Sequence, residues 1–139
     1  MKLLATLILL PSLSWAHGED KPGPHGGHIQ MPGAFHTELV VGKDQSAHVY
    51  LLDINFENPT SQNSDVKVTA RNKKSEVKYT CEVMDGNHFH CIPNSKVPAK
   101  TELVIQATRD KAVGNEAVYK LPLKPFKEGS KKSEGHHHH

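Results

Sequence analysis

From Phe35 onward, apolar and polar residues alternate in short runs separated by turn-forming residues. The runs are Phe35–Val41, Ala47–Ile54, Asp65–Arg71, Glu76–Val83, His88–Ile92, Thr101–Thr108 and Glu116–Leu123, each rich in Val, Thr, Tyr, Ile or Leu. A period of two puts successive side chains on opposite faces of an extended strand, so each run reads as a strand with one face on a core. Gly42-Lys43-Asp44, Asn58-Pro59, Pro93-Asn94 and the stretch from Asp110 to Asn115 supply the breaks. No window sustains a helical period. Short strands at this regular spacing predict an all-β domain of about seven strands. The expected architecture is an immunoglobulin-like antiparallel β-sandwich, with a small barrel as the fallback.

The pattern fails at both ends, for different reasons. Met1–Ala16 carries Lys2, then apolar Leu3–Leu10, then Pro11, with Ser14 and Ala16 at the small-residue positions of a cleavage site. These are the parts of a secretory signal peptide, too short to span a bilayer. No later stretch reaches the ~18 apolar residues of a membrane span, so membrane insertion is not expected. His17–Gly33 holds five Gly and three Pro, which predicts a loop or extended arm rather than regular structure. The β-domain is then 34–123, and 124–139 is a polar Lys/Ser/His tail. His136–His139 end that tail either as an engineered tag or, as the retained export signal favours, as a native metal scavenger.

The cysteines fit an exported, periplasmic or secreted chain. Cys81 and Cys91 flank Met84-Asp85-Gly86-Asn87, a tight-turn signal. Centring the turn on Gly86 sets Cys81 opposite Cys91 and Val83 opposite Phe89, with Glu82 and Met84 opposite His90 and His88. Thiols placed so in an oxidising compartment are expected to form a disulfide, and the Cys-x-x-Cys spacing of redox or metal pairs is absent.

Charge adds an exclusion. Lys+Arg total 17 against 15 Asp+Glu, so there is no basic excess to hold a nucleic acid. Histidine is the residue in excess: 11 of 139 positions, far more than the aromatic content would lead one to expect. Imidazole is the commonest protein ligand for transition metals.

The densest cluster is Gly23-Pro24-His25-Gly26-Gly27-His28 followed by Phe35-His36-Thr37-Glu38-Leu39. His36 and Glu38 are two apart in a predicted strand and share a face, while Phe35, Thr37, Leu39 and Val41 face the core. Folding the glycine-rich loop onto that strand would gather His25, His28, His36 and Glu38 around one ion. That donor set suits copper or zinc, with Glu38 as ligand or as orienter of a ligand. Met31 would add a thioether if the ion is Cu(I). Cleavage after Ala16 makes His17 the first residue, and its amine and imidazole would then chelate copper as a histidine brace. A second candidate is the hairpin face bearing Met84, His88 and His90, a soft copper site or simply a solvated face. His48, set opposite Val40 and about 13 Å along the ladder from His36, reads as incidental.

Catalytic signatures are missing: there is no Gly-x-Ser-x-Gly, phosphate loop or His-Glu-x-x-His helix. A copper oxidative enzyme built on His17 is the one enzymatic alternative, and an enzyme is not expected.

The run G-P-H-G-G-x-I-x-x-x-G-x-F-H-x-E-L-V, followed by V-Y-L-L-D and Pro59, resembles a small histidine-containing β-domain of bacterial envelopes. Such segments occur in periplasmic adaptor subunits of heavy-metal efflux systems and in stand-alone envelope metal-binding proteins. The resemblance covers Gly23–Pro59 and implies an exported β-domain handling transition metals, with function carried by His25, His36 and Glu38. The chain is too short for the lipoyl-like domain and helical hairpin of a full adaptor. Its C-terminal half has no counterpart in the resemblance. The reading at this level is a periplasmic copper protein, or zinc protein, for sequestration or delivery in metal resistance, with an efflux component as possible partner. The alternative is a non-metal interaction module docking on an efflux or membrane complex.

Overall fold

The structure, a computed structural model, describes residues 17, 18, 20–127, 129 and 131–133. The expected signal peptide, 1–16, and His136–His139 lie outside the described residues. The strands are β1 (His17–Gly18), β2 (His28–Met31), β3 (His36–Val41), β4 (Ala47–Leu52), β5 (Asp65–Arg71), β6 (Glu76–Met84), β7 (His88–Pro93), β8 (Thr101–Arg109), β9 (Ala112–Val113) and β10 (Ala117–Leu121). All pairs are antiparallel, and neighbours run in the order β1-β2-β3-β4-β7-β6-β5-β8-β10, with β9 on β8.

The seven predicted runs appear as β3 to β8 and β10. Their order, β3-β4-β7-β6 against β5-β8-β10, is the ABED/CFG order of an immunoglobulin-type sandwich. β6 serves both layers: Glu76–Lys78 pairs with β5, and Tyr79–Met84 pairs with β7. That corner joins the layers into a nearly closed barrel, so the sandwich and the fallback describe two aspects of one fold. The disulfide differs from the immunoglobulin pattern in joining neighbouring strands of one layer.

Alternation positions the core. In β5, Val66, Val68 and Ala70 are buried while Asp65, Lys67 and Arg71 are exposed. Phe35, Leu39, Val49, Leu51, Phe89, Leu103 and Ile105 fill the interior between the layers. Side chains of this size contribute ~1.5–3 kcal/mol each when fully buried. Opposite the turn at Met84–Asn87, Cys81 faces Cys91 and Met84 faces His88, as the hairpin register predicts. Asp85 and Gly86 take φ of 55° and 67°, the left-handed geometry that an Asp-Gly pair accepts at low cost.

The arm departs from expectation. His17–Gly33 does not lie outside the sheet: β2 pairs with β3, and β1 pairs with β2. A four-residue strand between Gly and Pro clusters is too short to show periodicity, and its partner across the sheet supplies the bonds. β2 also closes the barrel toward β10. The Gln30 amide bonds both the N–H and the carbonyl of Val118, and the Tyr119 hydroxyl donates to the Thr37 carbonyl at 3.1 Å.

Candidate functional site

The outer face of the β3-β4-β7-β6 layer carries the chemistry. Register places Glu38 opposite Tyr50, Val40 opposite His48, His48 opposite His90, and His90 and His88 opposite Glu82 and Met84. Residues directly opposite share a face, so one polar row crosses four strands.

The loop Gly23–Gly27 covers the β3 end of this row. Gly23 N–H donates to Gly27 O at 2.8 Å, and Gly26 stands at φ 77°, forming a tight glycine-dependent turn. The turn sits directly on Glu38. A Cβ at Gly23 would lie 2.5 Å from the Glu38 carboxyl, and one at Gly27 would lie 2.6 Å from the Leu39 carbonyl. This close approach is why the sequence reads Gly-Pro-His-Gly-Gly.

Glu38 is fully buried, and both of its oxygens are engaged. Oε2 accepts the backbone N–H groups of His25 at 2.8 Å and Gly27 at 2.9 Å. Oε1 accepts His25 Nδ1–H at 2.6 Å. Glu38 therefore orients His25 and has no free oxygen directed at an ion. With Nδ1 holding the proton, His25 Nε2 presents its lone pair, the arrangement that outer partners impose on ligating histidines.

A column of rings continues from there. His25 stacks on Tyr50 with centroids 3.7 Å apart, and Tyr50 stacks on His88 at 4.4 Å. Tyr50 lies on the strand between them and separates the two imidazoles. His88 Nδ1 donates to Asn87 Oδ1 at 2.7 Å, so its Nε2 accepts His48 Nδ1–H at 3.1 Å. His48 then stacks on His90 at 4.5 Å.

Burial, and then the neighbouring His90, lower the pKa of His48 below the usual imidazole value. His88 is lowered by burial first and then by His48. Both rings are held neutral, the form that binds metals. Burial also raises the Tyr50 phenol, with the Glu38 and Asp85 charges adding to it.

The predicted cluster divides. His25 and Glu38 join the row just described. His28 Nε2 donates to the Lys124 carbonyl at 2.8 Å and its ring stacks on Phe126, so it tethers the C-terminal segment. His36 shares the face of Glu38 as expected, yet its Nδ1 donates to the Asp53 carbonyl and its ring stacks on Phe56. His25, His28 and His36 thus meet three separate sets of partners. The brace expected at His17 involves a side chain outside the described residues, although β1 sets that residue in register with Met31. Among the described residues, no three His, Cys, Asp or Glu side chains are arranged to hold one ion.

Met84, His88 and His90 do share the face predicted for them. Sequence reasoning missed the part played by His48, Tyr50 and Asn87. Two period-two pairs, His48/Tyr50 and His88/His90, were visible. Their adjacency depends on β4 pairing with β7 across an intervening hairpin, which no local pattern encodes.

Comparison with known proteins finds no matching family model, curated protein or solved structure.

Proposed function

We propose that this protein binds a transition-metal ion, copper with zinc as the alternative, and sequesters or delivers it in the bacterial envelope. It is a binding protein in this reading, not an enzyme. The observation that carries the reading is the row of His25, His48, His88 and His90 around Tyr50, with the His25 and His88 tautomers fixed by Glu38 and Asn87. A solvated face has no use for partners that set ring tautomers, whereas a ligating face does. The Cys81–Cys91 disulfide supports an oxidising compartment, as the signal peptide predicts. Neutral imidazoles bind and protonated ones release, so acidification discharges the ion.

The test is equilibrium dialysis of the secreted chain, with His136–His139 replaced by serine, against Cu(I), Cu(II) and Zn(II). One ion per chain, reduced in His48→Gln, supports the reading. Substoichiometric metal for every ion refutes it.

A further inference from the structure

We propose a second ligand site, independent of the metal-binding reading: a recess at one end of the barrel takes a free, single-chain anionic amphiphile. Its head lies against Lys73, Lys100 and Lys120, and its alkyl chain runs along Leu121 and Pro122. β3, β5 and β10 end at this mouth and β8 begins there, with the β5–β6 turn beside them. A cavity of about 600 Å³ is lined by the three lysines, Arg71, Glu102 and the apolar Leu121–Pro122 step. A second cavity, of about 330 Å³, shares that step and continues among Val41, Tyr79, Val97 and Leu123. Barrel mouths are a common place for small-molecule sites, which are lined mainly by apolar side chains with a few polar groups that fix orientation. Val97 plugs the core beneath: it is buried, and the Gln45 side-chain amide holds its N–H at 3.3 Å and its carbonyl at 3.2 Å.

Charge gives the occupant its sign. Glu102 stands in register between Arg71 on β5 and Lys120 on β10. The Arg71 guanidinium lies 3.8 Å from Glu102 and 3.6 Å from Glu116, so it answers both carboxylates. Among the described residues, Lys73, Lys100 and Lys120 pair with no carboxylate. The whole chain is close to balance, with 17 Lys+Arg against 15 Asp+Glu, so three unpaired ammonium groups around one recess are a local excess. A concave site lined by one sign of charge concentrates the opposite sign. The apolar part gives the occupant its shape. Val41, Tyr79, Leu121 and Leu123 are half-buried against the core and form walls. The exposed large apolar side chains, Ile54, Val83, Ile92 and Val113, all lie outside both cavities. The mouth therefore offers a chain a recess and presents no protruding wedge to a bilayer.

The experiment is isothermal titration of the secreted chain, without added metal, below micelle-forming concentrations. The probes are octanoate, decanoate, dodecanoate and decyl phosphate, with decanol as the uncharged control and phosphatidylglycerol vesicles as the bilayer control. Expected is one carboxylate or alkyl phosphate per chain, bound about 2–4-fold more tightly for each added methylene. Affinity should fall with salt, drop about 10-fold or more in Lys73→Gln/Lys100→Gln/Lys120→Gln, and drop about 3-fold in Leu123→Ser. The three lysines are exposed, so the triple variant keeps the fold, and its urea midpoint checks that. Four results overturn the proposal: no binding of either head group, decanol bound as tightly as decanoate, affinity unchanged in the triple-lysine variant, or lysine-dependent binding to vesicles without binding of the free amphiphiles.

Discussion

Glu38 is the residue through which the loop and the sheet communicate, and replacing it tests the site's architecture without any metal. In Glu38→Gln the side-chain shape is kept. The backbone N–H groups of His25 and Gly27 only donate, so they hold the amide oxygen at the Oε2 position. The amide nitrogen then faces His25 Nδ1, which must become an acceptor, and the His25 proton moves to Nε2. Hydrogen bonds to a charged group contribute ~1.5–3 kcal/mol and neutral ones ~0.5–1.5, so the surviving bonds each weaken by about 1 kcal/mol. Relief of carboxylate burial offsets part of that, giving a net loss of about 1–2 kcal/mol. Glu38→Ala strands the donors and opens a cavity, and its cost is roughly 3–5 kcal/mol. At roughly 4 °C of Tm per kcal/mol for a domain of about 100 residues, the alanine variant should melt some 12 °C or more below wild type. Urea denaturation gives the energies, and nitrogen-detected NMR of the His25 ring gives the tautomer. A Glu38→Ala variant within about 1 kcal/mol of wild type, or a Glu38→Gln variant still carrying its proton on Nδ1, would refute the reasoning.

Four further outcomes follow from the same contacts. Gly27→Ala has to displace the loop from the Leu39 carbonyl, so it should cost stability and expose Glu38; an unchanged urea midpoint would show that the approach is looser than described. Reducing the Cys81–Cys91 disulfide frees a short loop with a sequence separation of 10 and should lower stability by about 2–3 kcal/mol, read from urea melts with and without dithiothreitol. His48 and His88 have depressed folded pKa values, so the unfolded chain takes up their protons first, below about pH 6.5. Stability should therefore fall from pH 7.5 to 5.5, and His48→Gln should flatten that slope; an equal slope in both proteins would assign it elsewhere. His28→Ala should speed proteolysis near Lys124–Phe126 and leave metal affinity unchanged, whereas weakened metal binding would restore His28 as a ligand.

Much of this molecule is legible in the sequence because much of it is local. The strands β3 to β8 and β10 follow from alternation, since a two-residue period with breaks has few other solutions. The Asp85-Gly86 turn fixes the β6–β7 register, and with it the Cys81–Cys91 pair and the face shared by Met84, His88 and His90. The short link from Gly42 to Ser46 likewise fixes His36 opposite Leu52 and His48 opposite Val40. The glycines of the Gly-Pro-His-Gly-Gly run announce a tight turn, although not what lies beneath it.

Tertiary structure decided the site. Which strands become neighbours is a question of sheet order, and β4 reaches β7 only after β5 has crossed to the other layer and β6 has returned. That crossing sets His48 against His88 and His90, and makes an apparently incidental residue part of the row. Burial decided the fate of Glu38 as well. A carboxylate beside histidines reads as a ligand in sequence, but one sealed beneath a loop must satisfy every lone pair with nearby donors, so it orients an imidazole instead. Proximity along the chain gathered His25, His28 and His36 into one expected site. Each imidazole instead bonds an acceptor that folding brings to it from another part of the chain: Glu38 on β3 for His25, the Lys124 carbonyl for His28 and the Asp53 carbonyl for His36.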